Sequence, residues 1–172
     1  IGHGDMALVE TQGVQVVVDT GPSPHGVKQR LIPKLRRAPS LVVISHADRD
    51  HIGGAQALCQ RHRPAHLWSQ TLIPGCPKPA LTERLRLPGM TISRLSPADD
   101  WVRGRNERSL IISIITQGHR LLFLGDIGID RELDLAGRFG RATLVKVPHH
   151  GSKTSSGKPL VSETQPQIAL IG

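Results

Sequence analysis

Four side chains able to hold a divalent metal crowd into six residues at His46-Ala47-Asp48-Arg49-Asp50-His51. Imidazole and carboxylate together are the donor set of zinc, manganese and iron. In a tight turn, side chains at positions 46, 48 and 50 converge while His51 points elsewhere, so one turn can serve two ions. Two further groups offer the same chemistry: Asp126, and the pair His149-His150. A carboxylate from a separate strand, such as Asp126, can bridge two ions. Ions roughly 3.5–4 Å apart clamp the attacking and leaving oxygens of a displacement. Singly, each group has an ordinary reading: a solvated turn, a turn or capping aspartate, an uninformative His-His-Gly. Their conjunction carries the argument, because each follows an apolar run of strand length.

Those runs are the elements that must position the chemistry. Leu41–Ser45 ("LVVIS") reads as a strand buried on both faces and leads into His46. His119–Leu124 ("HRLLFL") pairs with Ser109–Thr116 as a hairpin across Gln117-Gly118 and leads through Gly125 to Asp126. Thr143–Val147 leads through Pro148 to His149-His150. Strand ends are where α/β folds place their sites. Earlier, Met6–Glu10 and Val14–Asp19 read as strands around Gln12-Gly13, the second ending on the carboxylate of Asp19. Thr20–Gly26 reads as a loop. Helices are expected over Val27–Ala38, with a kink or late start at Pro33, over Ile52–His62, and over Asp130–Phe139 with Asp130 as N-cap. Residues 63–108 are broken by six prolines, with short strands expected near His66–Ser69 and Met90–Leu95. Gln167–Ile171 is a last strand. The order is mixed α/β.

The chain has 172 residues, enough for one domain with its own core. Apolar residues make up 38%, with no run long enough for a transmembrane helix. Ile1 stands where a strand is already under way, so the expectation is a domain excised from a larger protein. Cys59 and Cys76 are too few for a disulfide framework or a thiolate zinc site; one disulfide between them is possible, and sequence alone does not fix the geometry that decides it. Lys and Arg outnumber Asp and Glu by 22 to 14, a balance that suits phosphate-rich partners. Aromatics are only 2%, which argues against modules that stack single-stranded bases.

"HADRDHIGG", "LFLGD" and "VKVPHHGSKTSS" resemble the metallo-β-lactamase superfamily. More narrowly, they resemble the C-terminal metallo-β-lactamase-like domain of ComEC-type DNA-uptake channel proteins. Gly2-His3-Gly4-Asp5, Val18-Asp19-Thr20-Gly21 and Asn106–Leu110 ("NERSL") resemble further motifs of that family, so the resemblance spans nearly the whole chain. It implies an α/β fold of αββα sandwich type, two mixed β-sheets flanked by helices. It also implies two divalent ions: His46 and Asp48 on one, Asp50, His51 and His150 on the other, Asp126 between them. His150 is preferred to His149 as the ligand; His149 then holds the scissile phosphate or protonates the leaving group. Asp50 and His149 are the candidate catalytic residues, with Asp19, Asn106 and Ser109 supporting.

The sequence departs from the superfamily's His-x-His-x-Asp-His at Asp48, where a second His is usual. More oxygen donors shift the expected metal toward manganese, with zinc or magnesium as alternatives. The superfamily also places a further His before the bridging Asp. By order the candidates are His62, His66 and His119, none in the right context, whereas Asn106 and Ser109 lie nearer the expected point.

Ser152, Lys153, Thr154 and Ser155 follow His150 and offer hydroxyls and a cation to phosphate, unless they form an ordinary exposed loop. No acid falls between Thr20 and Ala47 or between Leu135 and Ser162, and the second stretch contains a ligand motif. The expected function is a metal-dependent nuclease acting on DNA, single-stranded by preference, that degrades the strand discarded during uptake. The expected setting is a domain of an inner-membrane channel protein, on its periplasmic or extracellular face. The competing readings are another hydrolase of the fold, on phosphorylcholine or lactone esters, and a non-catalytic module that guides DNA.

Overall fold

The computed structural model describes residues 4–96 and 104–172. The Gly2-His3 half of the opening motif, Ile1, Pro97 and Trp101 lie outside the described residues. Two compact units divide the chain, Ile1–Thr82 and Glu83–Gly172.

The first unit holds a four-stranded mixed sheet of order β1-β2-β3-β4, built from Ala7–Thr11, Val14–Val18, Leu41–Val43 and His66–Trp68. β1 and β2 are antiparallel; β2, β3 and β4 are parallel. The β-branched β2 is buried along its whole length, as befits a central strand flanked on both edges. Leu8, Val17, Val42 and Leu67 stand in register across one face. Val27, Leu31, Ala55 and Leu58 from the helical segments pack on that row. The helices begin and end elsewhere than the sequence suggests. Within the expected loop, Ser23 caps a helical turn α1 (Pro24–Gly26), its Oγ accepting from the Gly26 amide at 3.2 Å. This runs into a π-turn at Val27–Leu31 and a 3₁₀ turn at Ile32–Lys34, stopping at an extended Leu35 rather than at Ala38. Pro33 cannot continue an α-helical ladder, which explains the tighter last turn. The expected helix over Ile52–His62 is two: α2 (Arg49–Ile52) and α3 (Ala55–Arg61), separated by Gly53-Gly54.

Gly53 and Gly54 are required by closeness. A Cβ on Gly53 would lie 2.3 Å from the Pro22 carbonyl oxygen, and one on Gly54 2.1 Å from Val27 Cγ2. Cys59 and Cys76 are joined in a disulfide with Cα atoms 4.9 Å apart, which decides a pairing the sequence leaves open. Folding brings the segment after β4 back against α3, a proximity no spacing rule encodes.

The second unit holds a six-stranded mixed sheet, order β10-β9-β8-β7-β6-β5. Its strands are β5 (Arg84–Leu87), β6 (Met90–Arg94), β7 (Ile112–Thr116), β8 (His119–Phe123), β9 (Leu144–Lys146) and β10 (Ile168–Leu170). β5 to β8 form an antiparallel meander, while β8, β9 and β10 run parallel. α4 (Ile129–Asp134) and α5 (Lys158–Thr164) complete it. Leu122 and Val145 of the sheet pack with Leu135, Phe139 and Leu160. Neither β5 nor α5 is expected from the sequence: arginines alternate with leucines in β5, and no element is expected over Lys158–Thr164. The N-cap of α4 is Gly128, not Asp130, so α4 starts one residue early and ends at Asp134, short of Phe139.

Candidate metal centre

Parallel pairing explains why the donors gather. β2 and β3 run the same way, so their C-terminal ends deliver Asp19 and Ser45-His46 side by side; the Asp19 amide donates to the Val43 carbonyl at 2.8 Å. In the second unit β8 and β9 are likewise parallel, and their ends deliver Asp126 and His149-His150. There the His149 amide donates to the Gly125 carbonyl at 3.1 Å.

In the first unit His46 and His51 are almost wholly buried, with ring centroids 4.2 Å apart. The turn between them is not a simple alternation. Asp48 is extended and occupies the N-cap position of the helical turn that carries Asp50 and His51, without a capping hydrogen bond from its side chain. The side chains therefore gather in neighbouring pairs, and His51 comes beside His46 instead of pointing away. His46 Nε2 lies 3.8 Å from Asp48 Oδ2, and His51 Nε2 lies 3.7 Å from Asp50 Oδ2.

Beneath the rings, Asp19 and Ser45 fix which nitrogen faces out. The Asp19 carboxylate accepts the Ser45 amide at 2.7 Å and the Ser45 hydroxyl at 2.8 Å. It also accepts His51 Nδ1 at 2.9 Å. The Ser45 oxygen in turn lies 3.0 Å from His46 Nδ1. With the hydroxyl proton given to Asp19, both imidazoles carry hydrogen on Nδ1 and turn the Nε2 lone pair toward their carboxylate neighbours. Such a shell orients metal-binding histidines. Asp19 is held in left-handed backbone with φ of 58°. The adjoining Thr20 grips the turn, its amide and hydroxyl both donating to the His51 carbonyl at 2.7 and 2.9 Å. From the other side the Asp5 amide donates to the Asp50 carbonyl at 3.1 Å. Gly4, with φ of 140°, sits so close that a Cβ would be 2.6 Å from that same oxygen. Asp5, Asp19 and His51 also place donor atoms within 4.8 Å of one another.

In the second unit His150 Nε2 lies 3.4 Å from Asp126 Oδ2, and Asp126 is buried. The Asp126 amide donates to Ser109 Oγ at 3.1 Å, and that hydroxyl donates to the Asn106 carbonyl at 2.6 Å. Ser109 and Asn106 thus brace the aspartate loop. His149 and His150 both adopt left-handed backbone, φ 50° and 51°, an uncommon state for non-glycine residues. Ser155 is buried, and its hydroxyl donates toward the Pro148 and Ser152 carbonyls at 2.9 and 3.0 Å, anchoring the His-His turn. Ser152, Lys153 and Thr154 stay on the surface side of that loop. His149, Lys153 and Thr154 line an open cleft of about 650 Å³ with Arg131, and the carboxylates Glu107, Asp130 and Asp134 line its other parts. Behind it the Glu132 carboxylate accepts the Ser156 and Gly157 amides at 2.6 and 2.7 Å. Burial holds this carboxyl above its usual range, against those two hydrogen bonds.

The three histidine–carboxylate separations, 3.8, 3.7 and 3.4 Å, test whether these residues fit a metal. All are too long for good hydrogen bonds. Two ligand atoms each about 2.1 Å from one tetrahedral ion stand about 3.4 Å apart. The donor set and spacing fit divalent ions. His66 and His119 do not join it: they open β4 and β8, while the donors follow the opposite ends of parallel strands. His62 caps α3 at its C-terminal end. Reasoning from sequence missed Ser45, whose one signal was a hydroxyl closing an apolar strand directly before a ligand histidine.

Comparison with known proteins agrees with this architecture. The chain is 27% identical over 184 residues to Recombination protein 2 of Haemophilus influenzae, an alignment covering 99% of this chain and 23% of that protein. It is 28% identical over 210 residues to ComE operon protein 3 of Bacillus subtilis, covering 99% and 27%. The chain therefore spans about a quarter of the length of these relatives. Among solved structures it is similar to Igni18, a metallo hydrolase from Ignicoccus hospitalis, with TM-score 0.60, 19% identity and coverage of 95% and 76%. The family model of the metallo-β-lactamase superfamily matches residues 2–171. With two mixed sheets, helices on each and histidine–carboxylate pairs at the strand ends, the chain belongs to the metallo-β-lactamase superfamily.

Proposed function

We propose that this chain is a metal-dependent nuclease, cutting DNA phosphodiesters during DNA uptake. The observation that carries the reading is the set of three histidine–carboxylate pairs at metal-ligand spacing, with the cleft at His149, Lys153 and Thr154 following the last of them. Two divalent ions bound to His46, Asp48, Asp50, His51, Asp126 and His150 would acidify a water and neutralise charge in an in-line displacement at phosphorus. Manganese is favoured over zinc because Asp48 adds an oxygen donor. Asp19 and Ser45 hold the imidazole lone pairs outward. Lys153, Thr154 and Ser152 receive the phosphate oxygens. His149 holds the scissile phosphate or gives a proton to the leaving oxygen, and its strained backbone is fixed by Ser155 below.

The name of one relative, a competence protein of Neisseria gonorrhoeae, supports a role in competence, and single-stranded DNA is the substrate proposed for this chain. No helix among the described residues is long and apolar enough to cross a membrane. We place the chain within a larger channel protein, on the periplasmic or extracellular side. The Cys59–Cys76 disulfide supports that side, since such bonds persist in oxidising compartments.

The test is incubation of the protein with end-labelled single-stranded DNA and manganese. Cleavage is expected, abolished by EDTA and by Asp50→Ala. Intact DNA alongside hydrolysis of a phosphocholine ester or a lactone would overturn the reading in favour of another hydrolase. Intact DNA that is bound equally by the parent and Asp50→Ala would leave a DNA-guiding module.

A further inference from the structure

The second unit carries a basic site that the metal chemistry does not use. Arg84, Ser93, Ser113, Leu122 and Val145 stand in register across β5 to β9, on one face of the sheet. Leu122 and Val145 are covered by Leu135, Phe139 and Leu160. Toward β5 the same row turns to hydroxyls and arginine. Arg84 Nε donates to Ser93 Oγ at 3.3 Å, and Arg120 Nε donates to Ser113 Oγ at 2.9 Å. Arg86 continues the row along β5, about 7 Å from Arg84 in backbone spacing.

A cleft of about 570 Å³ opens here, lined by Arg84, Arg94, Arg138, Ser93, Ser96 and one carboxylate, Glu83. Among the described lining residues, three guanidinium groups face one carboxylate. The Nε of Arg94 is buried and, among the described residues, makes no hydrogen bond. A buried charged donor without an acceptor is costly. An anionic oxygen in the cleft would satisfy it, and the guanidinium fork suits phosphate.

We propose that this cleft is a backbone-binding exosite that seats the phosphates of a single-stranded nucleic acid, away from the bond being cut. The inference rests on the nuclease reading for its substrate. A strand is favoured over a lipid surface because the cations line a cleft and continue in a line along β5. Headgroup binding by a folded surface calls for an apolar face that inserts beside the charges. Among the described residues no aromatic side chain lines the cleft, so these residues hold charge and read no sequence.

The experiment measures binding of a labelled oligothymidine to the protein in EDTA, so that nothing is cut, across a range of salt. Arg84→Ala/Arg138→Ala is the test variant, with both side chains exposed. Arg94→Gln is made separately, and thermal melts establish that each is folded. The double variant is expected to lose about tenfold in affinity near 0.1 M salt and to reduce the salt slope by about 1.4, or about 0.7 per lost phosphate contact. Hydrolysis of bis-p-nitrophenyl phosphate with manganese should be unchanged, because none of the residues lining the cleft is a proposed metal ligand. Unaltered DNA affinity and slope in both folded variants would overturn the exosite. So would loss of binding to phosphatidylglycerol vesicles with DNA binding retained. If the parent binds DNA through these arginines yet cuts none with manganese, the exosite stands and the nuclease reading falls.

Discussion

Asp19→Asn should disarm the metal centre without touching a proposed ligand. The Asp19 oxygen Oδ2 accepts two donors, Ser45 Oγ at 2.8 Å and His51 Nδ1 at 2.9 Å, while Oδ1 accepts the Ser45 amide. An asparagine keeps Oδ1 for the amide and puts an NH₂ where Oδ2 was. The serine hydroxyl can rotate to accept. His51 cannot accept at Nδ1 unless its proton moves to Nε2, which removes the lone pair a metal needs. Losing a shell partner of this kind costs about 10–100-fold in metal affinity. The assay is urea unfolding with and without metal, because a ligand stabilises the folded state according to free ligand over Kd. At metal about 100 times the parent's Kd, the parent gains about 2.7 kcal/mol. A 100-fold weaker variant at the same concentration gains only about 0.4 kcal/mol, which is RT ln 2. Without metal the variant should already be less stable by about 1.5–3 kcal/mol, from hydrogen bonds to a buried carboxylate. Equal metal-linked stabilisation in a folded Asp19→Asn protein would refute the tautomer argument. Loss of stability alone would reduce Asp19 to a structural group.

Gly54→Ala should be severe, because its Cβ would meet Val27 Cγ2 at 2.1 Å and the Thr20 carbonyl oxygen at 2.6 Å. Overpacking against backbone costs about 3 kcal/mol or more, whereas Gly118→Ala, with φ of 76° and open space around it, should cost only about 1–2 kcal/mol of left-handed strain in the same urea melts. Replacing both Cys59 and Cys76 by alanine opens a loop of sequence separation 17 and should lower stability by about 3 kcal/mol. Dithiothreitol should lower the parent's denaturation midpoint and leave the double variant unmoved. Glu132 has its folded pKa raised by burial, so the folded state holds the proton more tightly than the unfolded chain. Its contribution should therefore be most favourable below the ordinary carboxylate range and decline as pH rises through that range to the raised value. Subtracting the pH profile of Glu132→Ala from that of the parent should reveal this falling limb, and a rising limb would contradict the assignment.

The donors and their strands were legible because both signals are local. "LVVIS" before His46, "HRLLFL" before Asp126 and the run before His149 are apolar stretches ending in metal-binding side chains, and a strand leaves its next residues at the sheet's end. What stayed hidden depends on contacts between distant residues. Ser45 reads as the last strand residue, and only the parallel pairing of β2 with β3 sets its hydroxyl between Asp19 and two imidazoles. Cys59 and Cys76 pair because the chain returns to α3 after β4. β5 alternates arginine with leucine and gave no apolar run, yet pairing with β6 makes it an edge strand with its arginines on one face.

By itself the sequence determined the donor chemistry, the order of the strands that present it and the superfamily, since these depend on residue type and short-range periodicity. The tertiary structure alone decided which imidazole nitrogen faces a metal, that His51 lies beside His46, and that Ser155 anchors the His-His turn. It also gathered Arg84, Arg94 and Arg138 around one cleft. Each of those is set by through-space geometry at a few ångströms, where hydrogen bonds and close packing discriminate and sequence distance carries no information.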